Sequence, residues 1–139
     1  MRVITTDMAI VGGGLSGGLT ALALARLRPD VRVTLIDAGA SFGGNHLWSF
    51  FGSDVAPEHR WLVSPLVGQG WAAYDVHFPA HSRHLKQSYY SVESERLDEY
   101  LRATLPAEAL ICGRKALACG ARTVVLDNGV RIEAAAVID

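Results

Sequence analysis

The fold is decided by Ile10-Val-Gly-Gly-Gly-Leu-Ser-Gly-Gly18, in which five of the seven residues from Gly12 to Gly18 are glycine. Each glycine costs a strand or helix about 0.5–1 kcal/mol relative to alanine, so a run this dense needs a mechanical reason. On its N-terminal side, Asp7 to Val11 is a short apolar run that reads as a strand buried on both faces. On its C-terminal side, Leu15, Leu19, Leu22 and Ala23 recur at i, i+4, i+7 and i+8, the spacing of a helix. Ala21, Leu24 and Ala25 make the other side apolar too, so that helix is expected to be largely covered. Arg26 and Arg28 suit the negative end of its dipole, and Pro29 stops it. Val31 to Ile36 is β-branched and reads as a second strand ending at Asp37. Strand, helix and strand within about 30 residues predict a βαβ unit with parallel strands.

Gly12, Gly14 and Gly17 fit G-x-G-x-x-G, with Gly13, Leu15 and Ser16 completing the loop and the helix start. Alone the pattern is weak. Its context is specific: a strand before it, a helix opening inside it, and an acidic residue, Asp37, twenty positions after Gly17. Gly12 lets the chain turn out of the strand, Gly14 lacks the Cβ that would block a pyrophosphate, and Gly17 lets the helix approach the sheet. A pyrophosphate would meet free N–H groups and the positive end of the helix dipole. Asp37 would accept hydrogen bonds from ribose hydroxyls, which favours a 2′-hydroxyl over a 2′-phosphate and argues against NADP in this pocket. NAD and FAD both satisfy these residues, and a ligand-free glycine turn is the bland alternative.

At 139 residues the chain has the length of one domain. Thirteen Lys and Arg against fourteen Asp and Glu give a net charge of -1, so no basic field points to nucleic acid. Cys112 and Cys119 are seven apart and match no zinc or redox spacing, which leaves no metal ligand set and suggests small buried hydrophobes in a reducing compartment. The N-terminus is too short and interrupted for a signal peptide, and no apolar run reaches the 18 or so residues that span a bilayer. The chain is expected to be soluble or at most bound at a membrane surface.

Ala38 to Ser64 reads as loop and carries Trp48, Phe50, Phe51 and Trp61. Strands are expected within Gly70 to Phe78 and Ser88 to Val92. Ser94 to Leu105 reads as an amphipathic helix with Leu97, Tyr100, Leu101 and Leu105 on one face, Ser94 as N-cap and Pro106 as its stop. Arg122 to Glu133 reads as a hairpin about Asp127-Asn128-Gly129, followed by an apolar run from Ala134 to Ile138.

Gly17-x-x-x-Ala21-x-x-Leu24-Ala25, with Gly43-Gly44 shortly after Asp37, looks like the FAD-binding oxidoreductase superfamily. Phe42-Gly-Gly-Asn-His-Leu-Trp-Ser-Phe-Phe51 resembles the Gly-Gly-Asn-His-x-Trp-Ser-Phe motif of the bacterial lycopene β-cyclases, flavoproteins that close β-ionone rings on lycopene. Leu35-Ile-Asp37, His59-Arg-Trp61, Tyr74 to Pro79 and Ala136-Val-Ile-Asp139 are similar to that family as well, so the resemblance spans essentially the whole chain. Leu47 and Phe51 depart from it, standing where threonine and histidine are common, and they bear on fine specificity.

The resemblance implies FAD, reduced in the full enzyme, with NAD(P)H as reductant and lycopene or a related carotenoid as substrate. It places Gly43, Gly44, Asn45 and His46 beside the cofactor, His46 as a hydrogen-bond donor rather than the acid, and Arg96 at a helix start near the cofactor. Family members are well over twice this length, so the expected fold class is α/β: a Rossmann-like FAD/NAD(P)-binding βαβ unit with an additional β-rich segment, incomplete at its C-terminus. The catalytic carboxylates would lie beyond Asp139, the fragment itself would be inactive, and the full enzyme would work in the cytoplasm at the inner face of the membrane. Trp48, Phe50 and Phe51 would either pack in the core or line a carotenoid tunnel and steady a cation. A general FAD-dependent oxidoreductase or monooxygenase, and a non-catalytic dinucleotide-binding module, are the alternatives.

Overall fold

The computed structural model describes residues 1–139. β1 (Val3–Val11) starts four residues earlier than the apolar run predicts, because its first half pairs in parallel with a late strand rather than with its neighbour in sequence. α1 (Leu15–Leu27) follows the glycine turn and leads to β2 (Val33–Ile36). β2 is shorter than expected: Val31 and Arg32 only approach β1, where the Arg32 carbonyl accepts the Asp7 and Met8 amides. Met8↔Val33 through Val11↔Ile36 give the parallel register of the predicted βαβ unit.

The stretch expected to be loop is more ordered. β3 (Leu47–Phe51) is followed by single turns of 3-10 helix and the one-turn α2 (Arg60–Val63). The strand expected over Gly70 to Phe78 is two, β4 (Gln69–Trp71) and β5 (Tyr74–Phe78), interrupted at Ala72 and Ala73. β5 forms an isolated hairpin with β6 (His81–Leu85), and β7 (Tyr89–Glu93) lies between β3 and β4 in a separate antiparallel sheet. α3 (Ser94–Thr104) matches the predicted helix, with one correction: Glu93 occupies the cap position and Ser94 is the first helical residue. Ser94 is completely buried and its hydroxyl is used elsewhere.

β8 (Leu110–Ile111), β9 (Ala116–Cys119), β10 (Thr123–Leu126) and β11 (Arg131–Ile138) complete the chain. The predicted hairpin joins β10 to β11, and the apolar run after it is the same strand continued alongside β1. The main sheet has the order β8-β2-β1-β11-β10-β9; its first four strands are parallel and its last three form an antiparallel meander. On the outer side of β11, the ladder to β10 stops near Ala134, so Ala135 to Ile138 carry a strand on one side only.

Both faces of β1 are covered, as its apolar run predicts. Ile10 joins Leu35, Ala21, Leu22, Leu97 and Leu101 beneath the two long helices. Ala9 joins Ile36, Val124, Leu126 and Ile132, supplied largely by the meander. Gly18 is buried where a Cβ would press on Leu97 and Leu101, and so lets α1 and α3 pack closely. Cys112 is half-buried, whereas Cys119 is exposed on β9, contrary to the expectation that both are buried; both are free thiols.

Candidate dinucleotide site

The site grows from the C-terminal end of β1. Gly12 has φ +103, a left-handed conformation that only glycine adopts freely, and its N–H donates to the Ile36 carbonyl at 2.8 Å. Gly17 is needed for close approach: a Cβ there would run into the Gly12 carbonyl oxygen. Gly14 caps α1, and a Cβ on it would meet nothing within 4 Å. That space lies directly at the helix start, where no side chain caps the backbone and no acidic residue occupies the first turn. The N–H groups of Leu15, Ser16 and Gly17 therefore stand at the positive end of the dipole with room for an anion before them.

Asp37, at the end of β2, accepts from the Gly13 N–H at 2.8 Å through Oδ2 and from the Gly39 N–H at 2.7 Å through Oδ1. The carboxylate expected to face ribose hydroxyls is thus also the clamp between the two loops, and each oxygen keeps a further lone pair. Behind it, the Asp37 N–H donates to the Ile111 carbonyl and the Gly113 N–H to the Gly39 carbonyl, so the end of β8 braces the acidic loop.

The segment Phe42 to His46 bridges the glycine loop and α3. The Gly43 N–H donates to the Gly13 carbonyl at 2.7 Å, with Gly43 at φ +84 and Gly44 at φ +65. The His46 N–H donates to Ser94 Oγ at 3.2 Å, and the Ser94 N–H returns to the His46 carbonyl at 3.0 Å. The His46 ring lies 5.7 Å from that of Trp48. Asn45 is exposed beside them. Gly12, Gly13, Gly14, Gly17, Asp37, Gly43 and Gly44 therefore fall in one connected unit, with Asn45 and His46 on its rim. Arg96 is not drawn into it: the Nε of this exposed side chain donates to the Pro65 carbonyl at 3.1 Å, and it forms no hydrogen bond to the glycine loop.

Two residues organise these loops that the sequence alone gives no role. Phe42 is 1% exposed, and its ring occupies the space a Cβ on Gly13 would need. Asp98 on α3 accepts the Phe42 N–H at 2.8 Å and pairs with Arg102 Nε at 2.9 Å; the Arg102 guanidinium lies over the Phe42 ring. Burial pushes the Asp98 carboxyl up, but the bonds from Arg102 and the Phe42 amide outweigh it and hold the group below the ordinary range. Arg102 also reaches Cys112 Sγ, whose thiol is raised mainly by burial, with the guanidinium pulling the other way. The only local hint was the Asp98–Arg102 spacing of four on one helix.

A cavity of about 320 Å³ lies away from these loops, between the second sheet and α2, lined by Phe50, Val55, Arg60, Val63, Ser88 and Tyr90 among others. It touches none of the glycine-loop residues, and the Gly14 opening is the better candidate on chemistry. No three His, Cys, Asp or Glu side chains converge as a metal site, and no helix is long and apolar enough to cross a membrane.

Parallel strand, glycine turn, uncapped helix and a carboxylate at the end of the second strand define a βαβ unit of the Rossmann type. More narrowly, the chain belongs to the lycopene cyclase protein family, whose model matches residues 7–139. It is 42% identical over 134 residues to a lycopene beta-cyclase of Pseudescherichia vulneris and 40% identical over 134 residues to one of Pantoea ananas. Those matches cover 96% of this chain but 34% and 35% of the relatives, so the chain spans about a third of their length. The fold is also that of the tetrameric 2-methyl-3-hydroxypyridine-5-carboxylic acid oxygenase, with a TM-score of 0.69 at 16% identity, covering 96% of this chain and 38% of that one.

Proposed function

We propose that this chain is the N-terminal, cofactor-holding portion of a flavin-dependent lycopene β-cyclase. The observation that carries this reading is the open space at Gly14 before an uncapped helix start, in a chain of the lycopene cyclase family. The residues fit FAD: the N–H groups of Leu15, Ser16 and Gly17 would hold the pyrophosphate, and Asp37 the adenosine ribose. Gly43 to His46 would border the flavin side, and Arg96, near the start of α3, would be a further contact.

Reduced FAD, with NAD(P)H as the reductant, would supply negative charge beside the cationic transition state of ring closure. The chain's own contribution is positional. The Asp37 clamp and the Gly43 to Gly13 bond fix the two loops against each other, so a bound dinucleotide meets donors and acceptors already in place. No carboxyl in this segment is placed here as the acid that protonates the alkene. Lycopene, closing toward β-carotene, is the substrate we assign to the whole enzyme, and its insolubility in water favours work at the inner face of the membrane.

Titration of the chain with FAD tests the cofactor reading. One equivalent should bind, and Gly14→Val should abolish binding while the melting temperature stays within a degree or two of wild type. Undiminished FAD affinity in that variant refutes the pocket. The activity is tested by expressing the longest reading frame that contains this chain in bacteria accumulating lycopene. β-Carotene formation without stoichiometric NAD(P)H consumption is expected, and consumption of NAD(P)H with each turnover would favour an ordinary flavin oxidoreductase.

A further inference from the structure

The loop from Phe42 to His46 is held at both ends by one face of α3. At its start, Asp98 Oδ1 accepts the Phe42 N–H at 2.8 Å; at its end, Ser94 Oγ accepts the His46 N–H at 3.2 Å. Ser94 and Asp98 lie four residues apart on the helix, so they share a face and stand about 6 Å apart along its axis. The loop between these anchors does not run extended, for which its four steps would need about 13 Å. It arches instead through Gly43 at φ +84 and Gly44 at φ +65. The arch rests directly on the helix: a Cβ on Gly43 would come within 3.0 Å of Ser94 Cβ and of the Ser94 carbonyl oxygen. Asn45 and His46, at the far end of the arch, are exposed.

Ser94 is completely buried and is the first residue of α3. β3 and β7 pair as far as Leu47↔Glu93, and one step further the Ser94 N–H still donates to the His46 carbonyl at 3.0 Å, as a continued ladder requires. In an antiparallel ladder the Ser94 carbonyl would take the His46 N–H in return, but once α3 begins that carbonyl serves the helix. The serine side chain fills its place. Its single proton goes to Glu95 Oε2 at 3.4 Å, which leaves the oxygen lone pairs for the His46 amide.

We propose that Ser94 is a positioning residue: its hydroxyl fixes the His46 backbone and, with Asp98, holds the Gly43 to His46 loop in the shape that meets the cofactor. Buried beneath the loop, Ser94 touches no ligand and acts through His46. A loop held in advance needs less ordering when the cofactor arrives, which favours binding. This inference rests on the cofactor reading above and adds to it the residue that sets the second loop.

Ser94→Ala removes the hydroxyl and keeps a good helix former. Three readouts test it in this chain under folding conditions: amide-resolved hydrogen exchange, FAD titration and the visible circular dichroism of the bound flavin. Exchange at the His46 amide should rise about tenfold beyond any change at Ile10 and Leu35, whose amides report opening of the main sheet. FAD should bind several-fold more weakly, with altered flavin dichroism. Ser91→Ala, which removes a buried hydroxyl that bonds to Ser49 and not to the loop, should leave His46 exchange and the flavin dichroism as they were.

An acceleration at His46 no greater than at Ile10 and Leu35 overturns the anchor. Faster exchange at His46 with wild-type FAD affinity and dichroism overturns the positioning role and leaves the cofactor reading intact. A wild type that binds no FAD refutes the cofactor reading, and the positioning role with it.

Discussion

Asp98→Ala should loosen the loop that carries the Gly-Gly pair, and its cost can be worked from two bonds. The substitution removes the acceptor of the Phe42 amide, 2.8 Å away, and the partner of Arg102 Nε at 2.9 Å. Phe42 is 1% exposed, so no water replaces the lost acceptor; an unsatisfied buried donor costs about 1–3 kcal/mol. The pair with Arg102, half-exposed on the arginine side, adds about 0.3–0.5 kcal/mol. Asp98→Ala should therefore lose about 1.3–3.5 kcal/mol, whereas Asp98→Asn keeps an oxygen for the amide and should lose about 1 kcal/mol or less.

Urea unfolding at pH 7 measures both, provided the slope of the transition is unchanged. The sign with pH follows from the lowered carboxyl. Its stabilisation is fully present above the unfolded-chain value of about 3.9 and is lost as pH falls through the lower native value. The gap between wild type and Asp98→Asn should accordingly close on acidification. If Asp98→Ala lies within about 0.5 kcal/mol of wild type, or if the Ala and Asn variants are equal, Asp98 does not hold the loop.

Gly17→Ala should destabilise rather than merely impair binding, because its Cβ meets the Gly12 carbonyl oxygen. Overpacking costs about 1–3 kcal/mol and better helix propensity returns up to about 1, so a net loss of about 1–2 kcal/mol is expected; a stabilised variant would refute the close approach. Asp37→Ala should both lower stability and weaken FAD binding, each by about 1–3 kcal/mol, since the Gly13 and Gly39 amides lose their acceptor. Unchanged values by calorimetry would make Asp37 an ordinary solvated strand end.

The parts legible in the sequence are those whose signal is local. The glycine run, the period of α1 and α3, and the Asp127-Asn128-Gly129 turn each carry their own chemistry within a dozen residues. β3 was hidden because Trp48 and Phe50 face the core while Phe51 faces outward with its own ring partners, so no apolar-polar alternation survives. β6 was hidden for the opposite reason: His81 to His84 are all exposed, and polar residues without period read as loop, so the hairpin that β6 makes with the expected strand β5 stayed out of sight. Ser94 has the chemistry of a cap, but Glu93 takes that place because the Ser94 hydroxyl accepts the His46 amide. At the site, the loop glycines and Asp37 were readable from spacing. Asp98 was not, since its amide partner lies 56 residues away and nothing near either residue announces the other.

The two amides bound to Asp37 bear on how quickly a nucleotide can be let go. An acceptor held at 2.8 Å and 2.7 Å by its own loops needs no reorientation when ribose hydroxyls arrive. The entropy of fixing that carboxylate is then spent in folding and not in association. A pocket built this way should differ from loosened variants chiefly in residence time, because a rigid clamp slows escape more than it hastens capture. In such a protein the flavin would be a resident of the fold, retained through many turnovers, and not a reagent exchanged with each one.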